Sequence, residues 1–403
     1  MQTNLITKFK NTPEGQEAED ILRSCVHCGF CTATCPTYQL LGDELDGPRG
    51  RIYLMKQVLE GKEVSRKTQS HLDRCLTCRS CETTCPSGVK YGRLVDIGRH
   101  IVEQEVGRSF GEKLIRKTLR TVLPNPKLFS ALLTAGRTFR PILPAVLKNK
   151  IPAKQTTATW PTSAHIRKMM VLDGCVQPVT APNTNVATAR VLDKLGIQLL
   201  RISNTGCCGA VSHHLSAHEE GLDMMRRNID AWWPYADQGV EAIVMTASGC
   251  GVMVKDYATL LAHDKAYAEK AKKISDMTKD ISEILTNEDL SSLGNIGKKK
   301  KVAFHSPCTL QHGQKVTNTV ERILLSIDYQ LTNVVDSHLC CGSAGTYSIL
   351  QSELSQSLLT NKLNSLQAES PDLIVTANIG CQMHMASKAK VPVQHWIELL
   401  DNC

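Results

Sequence analysis

Two runs of cysteine carry the clearest chemistry in this 403-residue sequence. The first is Cys25, Cys28, Cys31 and Cys35 followed by Pro36; the second is Cys75, Cys78, Cys81 and Cys85 followed by Pro86. Three cysteines at two-residue gaps let one tight loop aim three thiolates at a common centre. The fourth, one residue further along and stiffened by proline, points away. Thiolates gathered in this way hold iron–sulfur cores, so each run implies a [4Fe–4S] cluster. Structural zinc also uses Cys-x2-Cys pairs, but two pairs leave the triple, the longer gap and the proline unexplained.

In two-cluster ferredoxins the fourth cysteine of such a run completes the other cluster. That assigns Cys25, Cys28, Cys31 and Cys85 to one [4Fe–4S] and Cys35, Cys75, Cys78 and Cys81 to the other. Crossed ligation places the two clusters near each other, as a path for electrons requires. The 39 residues between Cys35 and Cys75 are too many for a hairpin. They read as helical: Ile52, Met55, Val58 and Leu59 share one face of the stretch 51–60. An all-α ferredoxin domain over 1–105 is expected, similar to that of succinate dehydrogenase iron–sulfur subunits. His27 and Arg79, inside the cluster loops, read as tuning or packing groups.

The other cysteines repeat. Cys175 to Cys207 and Cys308 to Cys340 are each separated by 31 residues, and each interval ends in Cys-Cys-Gly (Cys207, Cys208, Gly209; Cys340, Cys341, Gly342). Each repeat closes with one more, Cys250 or Cys381. Strands alternate with amphipathic helices here: Met169–Leu172, Ile197–Ile202 and Ala242–Thr246, then Val302–His305, Tyr329–Val335 and Leu373–Ala377. This is the pattern of duplicated βαβ-type α/β units, 169–297 and 298–403. The cysteines fall at the carboxyl ends of the strands, where ligand sites form in parallel sheets. Each set is expected to meet in one place, as a further iron–sulfur cluster, a redox site, or a cluster-free thiol site. A disulfide between neighbours would be strained, since adjacent Cα atoms are about 3.8 Å apart. The fold class is thus α+β multidomain.

Between Gly107 and Lys168 there are thirteen Lys or Arg against one acid, Glu112, whereas the whole chain carries a net +8. The segment 106–168 has no cysteine and several prolines, and reads as a basic helical linker or docking arm. Aromatics at 4% are too few for stacking on nucleic acid, so no nucleic-acid partner is expected. Peripheral contact with an anionic membrane face, or docking to an acidic partner, fits the charge of 107–168. A polar start, no run of about 18 apolar residues, and seventeen cysteines that read as metal ligands point to a cytoplasmic location, at the inner membrane's cytoplasmic face.

The Cys-Cys-Gly pattern resembles the domain shared by heterodisulfide reductase catalytic subunits, with one departure: Met253 and His384 stand where a final cysteine is usual. The whole chain resembles the iron–sulfur subunits of bacterial glycolate oxidases (glycolate dehydrogenases). The stretches CVHCGFCTATCPTYQLLGDELDGPRGRIYLMKQ (25–57), NTGCCGAVSHH (204–214), NIDAWW (228–233) and DSHLCCGSAGTY (336–347) carry that likeness. The resemblance implies a hetero-oligomeric 2-hydroxy-acid oxidoreductase whose flavin subunits, with FAD, oxidise glycolate to glyoxylate. This chain would then pass the electrons to a membrane quinone or another acceptor. No Gly-x-Gly-x-x-Gly fingerprint is present, so the flavin belongs on partners and no catalytic residue is assigned here. Subunits of lactate or glycerol-3-phosphate dehydrogenases, or a thiol–disulfide reductase, are the alternatives.

Overall fold

A computed structural model describes residues 1–140, 151–294 and 296–401. Contacts divide them into two compact units: residues 1–116 with 338–362, and residues 117–337 with 363–403. The stretch 141–150 of the expected docking arm, with Pro141 and Pro144, lies outside the described residues.

The first unit is helical. Its main helices are α1 (Pro13–Ser24), α2 (Pro48–Leu59), α3 (Arg66–Asp73) and α4 (Tyr91–Val106). Proline at the first position starts α1 and α2, and the Thr12 and Ser65 hydroxyls cap α1 and α3 by accepting backbone N–H groups. The long spacer between the cysteine runs is therefore helical, as its periodicity required. Ile52, Met55, Val58 and Leu59 are all buried against Leu22, Leu72, Leu94 and Val102. Gly98 lets α4 close on α2, since a Cβ there would sit 2.5 Å from the Met55 sulfur. The segment 338–362 joins this unit, and the Tyr347 hydroxyl donates to the Arg74 carbonyl at 3.1 Å.

Two further helices follow, α5 (Phe110–Val122) and α6 (Pro126–Phe139), neither with a buried residue. They make no core of their own. Among the described residues no helix is long and apolar enough to cross a membrane.

The second unit holds two four-stranded parallel sheets of identical order. One runs β2-β1-β3-β4, from β1 (Arg167–Val171), β2 (Ile197–Arg201), β3 (Ile243–Met245) and β4 (Thr278–Asp280). The other runs β6-β5-β7-β8, from β5 (Lys301–His305), β6 (Gln330–Leu331), β7 (Leu373–Thr376) and β8 (Val393–His395). All neighbours are parallel. The sheets share one apolar core, in which Val171, Leu199 and Val244 cluster with Phe304, Val375 and Trp396. The strand expected over Tyr329–Val335 shrinks to two residues because β6 is an edge with one neighbour, and Val335 is exposed. The edge strands β4 and β8 escape sequence reading because they are three residues long and end in Asp280 and His395.

Candidate functional site: cysteine-lined cavities and a thiol chain

The helical unit gathers its eight cysteines around two cavities. Cys25, Cys28, Cys31 and Cys85 line one; Cys35, Cys75 and Cys78 line the other; Cys81 lines both. The loops repeat each other in backbone as well as in sequence. His27 and Gly29 flank Cys28 with positive φ, and Thr77 and Arg79 flank Cys78 in the same way. Three non-glycine residues in this region cost free energy, of the kind stored where geometry must be fixed. The donor set is all thiolate, which suits iron–sulfur cores. Among the described residues no three of these thiols lie within 4.8 Å of one another.

The electrostatics of the two cavities differ. Burial, then the neighbouring Cys25, push the Cys31 thiol up to about 11. Burial also raises Cys75, yet Arg51, Arg99, the Thr77 N–H and the Tyr91 hydroxyl together bring it below the ordinary thiol value. Arg51 is fully buried, and Asp46 is shared by Arg51, Arg74 and His71 at 3.3, 2.9 and 3.1 Å. Sequence reading overlooked Arg51, although it lies four residues before Met55 and so on the buried stripe of α2.

In the first repeat β1 lies between β2 and β3, so the chain switches sides there, and the loops after these strands converge. Cys175, Cys207, Cys208 and Cys250 come together as a chain in which each thiol hydrogen-bonds the next. Cys207 accepts from Cys175 and Cys208 and is held well below the usual thiol range; Cys175 and Cys208 are pushed well above it. The backbone beneath is clamped. The Asn228 amide donates to the Cys207 carbonyl at 2.9 Å and accepts from the Gly206 N–H at 2.9 Å, and the Tyr257 hydroxyl donates to the Cys208 carbonyl at 2.9 Å. Gly209 has φ +90°, and a Cβ there would meet the Gly221 carbonyl oxygen at 2.8 Å. Asn228 and Tyr257 carry no motif of their own and were not singled out from sequence.

The second repeat carries Cys308, Cys340, Cys341 and Cys381. Cys308 follows β5 and Cys381 lies in the helix Ile379–Ala386, both in the unit of the sheets. The Asn378 side chain donates to the Cys381 sulfur at 3.4 Å and accepts from the Gly249 N–H at 3.1 Å, tying the two repeats together. Cys340 and Cys341, both buried, belong to the helical unit. Met253 is packed in the apolar core and His384 is half-buried on its helix.

Comparison with known proteins matches these regions one by one. The 4Fe-4S dicluster domain model matches residues 21–89, and the cysteine-rich domain model matches 169–255 and 302–386. The glycolate oxidase iron-sulfur subunit of Escherichia coli (strain K12) is 56% identical over 402 residues, covering 100% of this chain and 98% of that one. The probable glycolate oxidase iron-sulfur subunit of Bacillus subtilis is 32% identical over 400 residues, 91% of this chain and 89% of that protein. Lactate utilization protein A of Bacillus licheniformis is 24% identical over 243 residues, covering 58% of this chain. Among solved structures, a hypothetical protein from Helicobacter pylori superposes with a TM-score of 0.57 at 12% identity, over 97% of this chain and 72% of that one, which speaks to fold alone.

Proposed function

The chain belongs to the family of glycolate oxidase iron–sulfur subunits, and from that premise we propose that it carries electrons from flavin-bearing subunits that oxidise glycolate toward a membrane quinone or another acceptor. Cys25, Cys28, Cys31 and Cys85 hold one [4Fe–4S] cluster in this reading, and Cys35, Cys75, Cys78 and Cys81 the other. The two cysteine-lined cavities are the observation that carries it. Bound clusters supply one-electron storage. The chain's own residues fix the loops, shield the sulfurs from water and donate hydrogen bonds to them.

The test is anaerobic iron and acid-labile sulfide analysis of the purified chain. About eight irons from the helical unit are expected; zinc in their place, or only one cluster, overturns the assignment. Glycolate alone should leave the clusters oxidised, and glycolate with flavin subunits should reduce them. Turnover of a disulfide by this chain without partners would favour the thiol–disulfide reductase reading, which the linked thiols around Cys207 support.

Peripheral contact with the cytoplasmic membrane face completes the proposal. On α5, Phe110, Leu114 and Ile115 are exposed, while Arg116 and Arg120 turn inward to Asp73 and Glu220. An apolar outward face with Lys113 and Lys117 beside it suits an anionic lipid surface. High salt is expected to weaken membrane binding; release by detergent alone would sink the electrostatic part.

A further inference from the structure

Tyr91 lines both cysteine cavities of the helical unit, and the charges on its two sides are unlike. On the side of Cys35, Cys75, Cys78 and Cys81 a guanidinium is buried. Arg51 is 1% exposed; its Nη1 donates to the Thr37 hydroxyl at 3.1 Å and its Nε to the His71 carbonyl at 2.7 Å. That hydroxyl lies 3.3 Å from the Cys35 sulfur. Arg99 reaches the same edge, donating to the Thr77 hydroxyl at 2.8 Å and to the Cys75 carbonyl. Two donors address the Cys75 sulfur directly: the Thr77 N–H at 3.4 Å and the Tyr91 hydroxyl at 3.6 Å. Asp46 is the buried counter-charge, and it is divided between Arg51, Arg74 and His71.

The other side is poorer. Arg49 is the cation lining the cavity of Cys25, Cys28, Cys31 and Cys85; its side chain is 39% exposed and paired with Glu44 at 2.6 Å. Cys28 itself is exposed, with Val26 and Phe30 exposed beside it. Reduction of either cluster adds one electron, and so one negative charge, drawn from the donor that glycolate oxidation supplies. A buried guanidinium is weakly screened and favours that added charge more than an exposed, paired one does. Hydrogen bonds to the ligating sulfurs act in the same direction.

Building on the ligand sets proposed above, we infer that the two-cluster path is polarised, with Arg51 and the Tyr91 hydroxyl making the Cys35, Cys75, Cys78 and Cys81 site the higher-potential one. The path then has a direction within this unit, from the exposed Cys28 edge toward Cys75. The segment 338–362 packs on that second side: Tyr347 donates to the carbonyl of Arg74, one residue before Cys75, and Cys340 and Cys341 lie on the same segment. Electrons collect on the side of the second Cys-Cys pair.

The experiment is an anaerobic redox titration of the full chain followed by electron paramagnetic resonance, which reads each cluster's potential separately from turnover. Arg51→Gln is expected to lower the upper of the two potentials and leave the lower one in place. The expected size is about tenfold in the partition of one electron between the clusters, or 59 mV. Arg51→Lys should restore most of the separation. Tyr91→Phe should move the same cluster in the same direction by less, and it decides the matter if Arg51→Gln fails to fold around its buried Asp46. Equal shifts of both potentials, a shift of the lower one alone, or no shift in Tyr91→Phe and Arg51→Gln overturns the inference. Cys85→Ser separates it from the ligand assignment. If its altered spectrum belongs to the cluster that Arg51 leaves untouched, crossed ligation holds; if it belongs to the Arg51-sensitive cluster, the ligand sets fail while the polarity stands.

Discussion

Gly209 and Gly342 occupy the same place in their repeats and are held in the same way. Each has φ near +90°, and a Cβ would meet a backbone carbonyl, that of Gly221 at 2.8 Å or that of Ser355 at 2.7 Å. Seven residues beyond each carbonyl a polar side chain is buried, but here the repeats part: Asn228 in the first, Lys362 in the second. Cys207 and Cys208 are linked to Cys175 and Cys250, and the matching pair Cys340 and Cys341 is equally buried. The left-handed glycine pressed against a carbonyl is what both copies kept.

The largest expected effect tests whether both copies hold metal. Cys208→Ser and Cys341→Ser should each remove their own repeat's share of any iron above about eight per chain. Equal losses would make the repeats equivalent; loss in only one would make the other a thiol site. Parallel iron and sulfide analysis of both variants reads the difference. Next come Gly209→Ala and Gly342→Ala, which force a Cβ into a left-handed backbone and against a carbonyl. Each is expected to cost about 1–3 kcal/mol or more. Gly342→Ala should also disturb the [4Fe–4S] spectra, because its segment packs in the helical unit, and Gly209→Ala should not. Identical spectra for the two variants would remove the distinction.

Much of this arrangement was legible in the sequence because cysteine spacing and glycine position are rigid requirements. The gathering of the two cysteine runs, the helical spacer with its Ile52, Met55, Val58 and Leu59 face, and the duplicated strand–helix order all follow from local pattern. The sequence hides what depends on tertiary neighbours. Arg51 reads as one more surface cation until α2 is packed and its stripe turns inward. Asn228 reads as a helix residue until the Cys207 carbonyl arrives above it. The membership of 338–362 in the helical unit is equally invisible, because a repeat read by its strands appears to belong to its sheet. Asn228→Ala should therefore cost about 1–3 kcal/mol in urea denaturation by removing the partner of the half-buried Gly206 N–H and leaving the Cys207 carbonyl with the Arg227 guanidinium at 3.2 Å as its donor.

The smallest effect compares the edge strands, whose last residues occupy matching registers. Asp280 ends β4 opposite Met245, and His395 ends β8 opposite Thr376. Both are fully buried and both accept a backbone N–H two residues on, from Ser282 and Ile397. His395 also donates through Nε2 to the Thr246 carbonyl at 2.8 Å, so its neutral form is the one the fold uses. Burial acts oppositely on the two groups, pushing Asp280 up to about 6 and His395 down to about 3. Asp280, raised from 3.8, contributes stability at low pH that is lost as pH rises through about 6. His395, lowered from 6.5, contributes stability at neutral pH that is lost as pH falls below 6.5. Between pH 5.5 and 7.5 the first effect removes about 1 kcal/mol and the second adds about 1 kcal/mol, so they nearly cancel. Single variants uncover them. Asp280→Asn, which keeps the cap but cannot ionise, should leave a chain whose stability climbs over that range by about 1 kcal/mol. His395→Asn should leave one whose stability falls by about 1 kcal/mol. Urea midpoints of both variants at the two pH values are the measurement, and slopes of the same sign would mean that the paired edges do not titrate against each other.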